Sequence, residues 1–401
     1  MTNIKVNKTL LIFLLGVLAA LGPFTIDMYL PGFKRIAEDF NTDENQVAFT
    51  LTSYFIGIAV GQLFYGPIVD KYGRKKPLLF GLAIYILAAF GCALSRSIEM
   101  MIVMRLLQAL GGCVGMVVSN AIISDVYEKD KRAKAFSSIM LVMGVAPLIA
   151  PSVGSLILKN ADWYYIFYFL TVFAILVWLM IYFLLPETSQ YMHKNKLKAK
   201  QITSDYYTIM RNKTFLLYTL SGSICMSILF AYISSASFVF QTFYKLDQST
   251  FSLIFAVNAT GLILGSYLNG VMSKHFNYVK IAKKSALILN VITIVAVGCV
   301  LMFPFIHYTQ MVVFLFSILF MIGFINPNAT AASLVPFTGN TGAASALGGA
   351  IRMGVGAFVA AIIGVLQGNP IVIMMTVIVV LSILSSVLLL ISPNDEALQE
   401  N

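Results

Sequence analysis

Long apolar runs alternate with short polar connections from one end of the chain to the other. A bilayer core takes about 20 apolar residues per helix. Twelve runs of that length can be counted, at roughly 9–30, 47–69, 77–95, 98–121, 134–158, 162–185, 214–240, 250–272, 281–303, 308–334, 342–366 and 370–391. The pattern predicts an all-α membrane protein of 12 transmembrane helices. The longest polar connection, about 186–213, is basic and lacks apolar periodicity. It predicts two six-helix bundles, an N-terminal one over 1–190 and a C-terminal one over 213–401, joined by a basic cytoplasmic linker over 191–212.

The polar connections are asymmetric in charge. On the N-terminal side of the membrane they hold 20 of the 27 Lys and Arg residues, and on the opposite side 5. Arg105 and Arg352 fall inside spans. Cationic loops stay in the cytoplasm, so both termini are expected there, in the cell inner (plasma) membrane. Lys5 and Lys8 before the first run imitate a secretory leader. The run is too long for one, and Pro23 and Asp27 stand where a cleavage site would be, so it reads as a retained first span.

Composition agrees. The chain is 59% hydrophobic and 11% charged, where a soluble domain carries about 25% charged residues. The net charge of +10 is explained by the loops, and no nucleic-acid pattern accompanies it. Cys92, Cys113, Cys225 and Cys299 all lie in apolar runs without metal-ligand spacing, which reads as packing. His193, His275 and His307 lie in loops or at span ends. No GxxxxGK[ST] stretch is present to cradle a nucleotide. An enzyme is therefore not expected, nor a cofactor, nor a metal. A monomer is expected.

Five features carry candidate chemistry. Asp27 is the acid that falls within a span, and an intramembrane acid is costly enough to be functional by default. It reads as a proton carrier. At about 1.5 Å per residue, however, it stands roughly 27 Å along the first helix, which also fits an interfacial acid. Arg105 keeps its charge and must face polar partners. Arg352 either attracts an anionic group of a substrate or satisfies backbone carbonyls. In the fifth span, Gly144, Pro147 and Pro151 predict a bent helix, because proline removes a backbone donor. Tyr54, Tyr232, Gln241 and Asn258, with Arg352, are candidates for a substrate cavity.

Residues 66–76 read GPIVDKYGRKK, a tight basic loop between spans two and three. At an offset of 204 residues Gly57, Gly61 and Gly66 map onto Gly261, Gly265 and Gly270, which suggests that the halves are parallel repeats. With twelve spans and this repeat, the loop resembles the signature of the major facilitator superfamily. IDMYLPGF (26–33), RLLQALGG (105–112), APLIAPSVG (146–154), WYYIFYFL (163–170), NATA (328–331) and GAASALGGAIRMGVGA (342–357) narrow the resemblance to the bicyclomycin-resistance (Bcr/CflA) type of drug:proton antiporter. Two departures stand out: Ser124 precedes Asp125 where the family pattern has Arg, and Lys274 stands where Asp70 has its match.

That resemblance implies a major facilitator fold and proton-driven export of small amphipathic compounds by alternating access. The alternative is a dedicated exporter of a single metabolite or siderophore-like chelator. Its implied partners are a small-molecule substrate, protons and the lipid bilayer. By the same resemblance Arg105 assists coupling by biasing a nearby acid. Gly66, Asp70, Gly73 and Arg74 form a conformational latch, with Asp70 meeting the N-terminus of span eleven. The proline-bearing fifth span points to antiport.

Overall fold

The computed structural model describes residues 8–127, 129–189, 199–303, 306–337 and 341–393. Among them the chain is helical throughout. The first half holds α1 (Lys8–Asp27), α2 (Phe33–Asp39), α3 (Glu44–Tyr72), α4 (Lys75–Ala93), α5 (Ile98–Gly112), α6 (Val114–Val126), α7 (Lys129–Asn160) and α8 (Tyr164–Leu184). After them come α9 (Ala199–Arg211), α10 (Lys213–Ser237), α11 (Gln248–Met272), α12 (Tyr278–Met302), α13 (Tyr308–Leu334), α14 (Thr341–Val365) and α15 (Pro370–Ile391). Eleven stretches among the described residues are long and apolar enough to cross a membrane, and α7 carries a further apolar segment, Val145–Asn160. In lipid every backbone donor and acceptor must be met within the chain, which leaves helices as the form these runs take.

Two compact units emerge: Met1–Thr42 with Ser53–Ile202, and Asp43–Thr52 with Thr203–Asn401. In the first, α4 lies against α5 and α8, and α1 against α7. In the second, α13 packs on α11, α10 and α12, and α10 also lies against α14 and α15. The apolar core of the first unit includes Leu15, Leu78, Leu82, Val114, Ile122 and Ile181, all fully buried.

The glycine repeat is a packing device in each unit. A Cβ on Gly57 would stand 2.7 Å from the Leu106 carbonyl oxygen, and one on Gly261 2.7 Å from that of Phe316. Four residues on, Gly61 lies against Cys113 and Gly265 against the Phe320 carbonyl, again too close for a side chain. Gly66 and Gly270 both face open space. Thus α3 approaches α5 as α11 approaches α13, through small residues that bring backbones together. The second unit adds hydroxyl pairs. Ser221 Oγ donates to the Ser385 carbonyl and Ser385 Oγ to that of Ser221, both at 2.9 Å, joining α10 to α15. Thr293 and Ser382 meet at 2.8 Å between α12 and α15.

Four features depart from the sequence reading. The helical path does not end near residue 30. A 3-10 turn, Leu30–Gly32, leads into α2, and the helical stretch that holds the first span runs Thr9–Asp39, its last seven residues rich in charge. The fourth span is interrupted at Cys113, between α5 and α6. The seventh ends in a π-helical turn, Phe238–Phe243. The linker, read as lacking periodicity, contains α9: Ile202, Tyr206 and Ile209 recur at helical spacing, and Ile209 is buried. Its residues 191–198 lie outside the described ones.

Gly265→Ala is expected to lower the stability of the detergent-solubilised protein by about 1–3 kcal/mol through overpacking, while Gly270→Ala stays within about 0.5 kcal/mol. Thermal unfolding of the two variants compares them directly, and equal melting points would contradict the packing assignment.

Candidate functional site

Arg105 is the largest fully buried side chain of the first unit, at 0% exposure. It projects from α5 into a ring of aromatic groups supplied by three other segments. Its guanidinium carbon lies 4.4 Å from the Tyr29 ring centroid, 4.4 Å from that of Tyr54 on α3, and 5.9 Å from that of Phe167 on α8. A desolvated guanidinium on ring faces gains a cation–π attraction of about 2 kcal/mol. Nη1 donates to the Thr25 carbonyl at 3.1 Å and to Gln108 Oε1 at 2.8 Å. Nε and Nη2 have no hydrogen-bond partner among the described residues. Thr25 itself is fixed, its hydroxyl donating to the Leu21 carbonyl at 2.5 Å and meeting the Tyr85 hydroxyl at 2.6 Å.

Asp27 is the last residue of α1 and is 4% exposed. Among the described residues it makes no ion pair, with Arg105 or any other cation. The two are nonetheless tied to one short segment. Arg105 grips the carbonyl two residues before Asp27 and lies on the ring two residues after it. The helix end is held from the far side by α7, where a Cβ on Gly154 would collide with the Met28 carbonyl. Beyond Asp27 the chain continues through the 3-10 turn Leu30–Gly32 into α2, whose sequence FKRIAED is charged. α7 is helical through Pro147 and Pro151, and Gly144 lies on it outside the residues whose side chains are described.

The loop 66–76 builds a second, ionic cluster. Gly73 has φ of +84°, the left-handed conformation that glycine adopts freely, and this turns the chain from α3 into α4. Arg74 reaches back to the Val69 carbonyl at 2.9 Å and Asp70 Oδ1 at 2.8 Å, and across to Asp125 on α6 at 2.8 Å. The Glu187 carboxylate, in the segment after α8, accepts from the backbone N–H of Arg74 at 2.9 Å and of Lys75 at 3.0 Å. An anion at the first turn of α4 is favoured by the helix dipole. Asp70 stays largely outside the knot, with its side chain 76% exposed.

In the second unit, Tyr232 and Asn258 come together: Asn258 Nδ2 donates to the Tyr232 hydroxyl at 3.1 Å, and the Tyr232 ring stacks on Phe255 at 5.5 Å. Gln241 sits on the π-helical turn, with Nε2 unpartnered among the described residues. Such turns recur at functional sites. Arg352 Nη2 donates to Thr330 Oγ1 at 2.7 Å, and Thr330 in turn to Asn326 Oδ1 at 3.2 Å. Tyr54, taken with these from sequence as a cavity residue, lies over Arg105 in the first unit.

Sequence reasoning missed Glu187 and the aromatic ring around Arg105. Both depend on contacts more than 50 residues apart in the chain. It also missed the serines of α10, of which Ser223, Ser234, Ser235 and Ser237 are buried with hydroxyls unpartnered among the described residues. Six serines between 221 and 237 were a signal that composition alone showed. His/Cys/Asp/Glu groups able to hold a metal are absent among the described residues.

The sequence profile of the Major Facilitator Superfamily matches residues 12–361. An "Uncharacterized MFS-type transporter YdgK" of Bacillus subtilis (strain 168) is 33% identical over 90% of this chain and 89% of its own length. A "Bicyclomycin resistance protein homolog" of Haemophilus influenzae is 34% identical over 67% of each chain. "Multidrug resistance protein MdtL" of Escherichia coli O81 (strain ED1a) is 28% identical over 60% of this chain and 61% of its own. Among solved structures, a D-xylose-proton symporter superposes with a TM-score of 0.75 over 96% of this chain and 98% of that one, at 14% identity, a likeness of fold. The chain is a multi-pass membrane transporter, not an enzyme, and belongs to the Major Facilitator Superfamily, where it matches the bicyclomycin-resistance-like drug:proton type.

Proposed function

We propose that the protein exports small amphipathic compounds in exchange for protons. It does so by alternating access, from a bacterial inner membrane with both termini in the cytoplasm. One observation carries the reading: a buried acid, Asp27, ends a helix whose flanking residues are held by an arginine with two unpartnered nitrogens. When Asp27 is ionised, a rearrangement of this segment that brings it toward Arg105 Nε and Nη2 is favoured, since an opposite charge favours the carboxylate. Protonation removes that attraction. Because Thr25 and Tyr29 bracket Asp27 on the same segment, gain or loss of the proton shifts the force on the break between α1 and α2. Substrate occupancy and protonation then compete for one conformational equilibrium. The names of the bicyclomycin-resistance and MdtL relatives support the cargo class.

Loop 66–76 takes a supporting role in this scheme. Arg74 is the hub that holds α3, α4 and α6 at the cytoplasmic end, and Glu187 clips the segment after α8 to the start of α4. Asp70, exposed beside that hub, acts as the conformational latch. The prolines of α7 withdraw two backbone donors from the helix that abuts the Asp27 turn, which leaves that helix easier to bend.

Asp27→Asn is expected to abolish export driven by an imposed pH gradient in inverted membrane vesicles while the protein level is unchanged. Fully gradient-driven transport in that variant would remove Asp27 from coupling. Asp70→Asn is expected to slow transport more than Lys274→Gln in the same vesicles, since the second half lacks the matching acid. Equal rates in those two variants would count against the latch.

A further inference from the structure

Arg352 is a charged residue that the coupling scheme does not use. It sits on α14, and the described acids of the second unit, Asp43, Glu44, Asp205 and Asp247, all lie outside the interiors of its membrane-length helices. No carboxylate pairs with Arg352 among the described residues. Neutral groups hold one side of the guanidinium, through Thr330 and beyond it Asn326. Its Nε is buried without a partner among the described residues, while the residue as a whole is only partly buried.

The surroundings add donors and no acid. Gly348 and Gly356 lie one turn before and one turn after Arg352 on the same face of α14. A Cβ on Gly348 would meet Thr219 at 3.8 Å, and one on Gly356 would collide with Phe230, so this face packs along α10 between residues 219 and 230. Within that interval Ser223 is fully buried, and both its hydroxyl and that of Thr219 lack partners among the described residues. Gly222 meets Ala329, next to Thr330, which brings α13 to the same level. An uncompensated arginine in a membrane helix is costly, and a bound anion removes that cost.

We infer that Arg352, set by Thr330 and Asn326, is a recognition point for the anionic group of the transported compound, a carboxylate on an otherwise apolar or amphipathic molecule. The inference rests on the transporter reading but not on proton coupling. A planar guanidinium meets a carboxylate with two parallel hydrogen bonds. Selectivity then arises because a neutral analogue leaves the arginine unmet.

Equilibrium binding of two fluorescent probes to the purified, detergent-solubilised protein tests this: dansyl-phenylalanine, which carries a carboxylate, and its neutral amide. The wild-type protein is expected to bind the carboxylate more tightly by on the order of tenfold, the scale of one charge-assisted hydrogen bond. Arg352→Gln is expected to erase that preference with amide affinity unchanged. Arg352→Lys is expected to keep part of it, since a point charge remains without the fork. Equal binding of both probes by the wild type, no binding of either, or an equal loss of both in Arg352→Gln would overturn the inference. The wild-type comparison stands even if a variant fails to fold. Loss of proton-driven flux with the carboxylate preference intact would instead strike only the antiport reading.

Discussion

Charge in an apolar solvent is the constraint on which the rest of this molecule depends. Nearly all of its ionic side chains are kept in connections and tails, and the few left inside the apolar stretches organise their surroundings. Arg105 draws in three rings and a helix carbonyl. Arg352 draws in a threonine and an asparagine. Asp27 is set at the one place in its span where the helix breaks. A protein that needed only to fold in a bilayer would fill these positions with leucine. Their presence shifts the explanation from stability to transport.

Both units solve the packing problem without a hydrophobic drive between helices. Backbones come together at Gly57 and Gly61 in one and at Gly261 and Gly265 in the other, and the second unit adds serine pairs between α10 and α15. Dispersion and short hydrogen bonds do what burial of apolar area does in water. The glycines also fix where the functional side chains stand. Gly154 lets α7 press on the Met28 carbonyl immediately after Asp27. Gly57, three residues after Tyr54, brings α3 against α5, the helix that carries Arg105.

Much of this was legible in the sequence, because the signals were local. The apolar runs and the loop 66–76 each lie within one stretch and announced the fold and the family, and the glycine spacing recurs in two such stretches and announced the pseudo-repeat. Asp27, Arg105 and Arg352 stood out as charges in apolar company. Their partners did not. Glu187 reaches Arg74 across 113 residues, and Phe167 covers Arg105 from a helix 62 positions on, which periodicity cannot report. The stop that Pro31 suggested is a 3-10 turn after the end of α1, and it carries the chain on into α2. The helix in the linker escaped notice because its apolar stripe is three residues wide in a strongly basic segment.

The account turns on a proton that leaves Asp27 as substrate enters. The most direct measurement is proton release on substrate binding, followed with a pH indicator in weakly buffered detergent solution, with no membrane and no gradient. Wild-type protein is expected to release protons when a transported compound is added, and Asp27→Asn to bind the same compound without release. Release of equal size from both proteins would contradict the account.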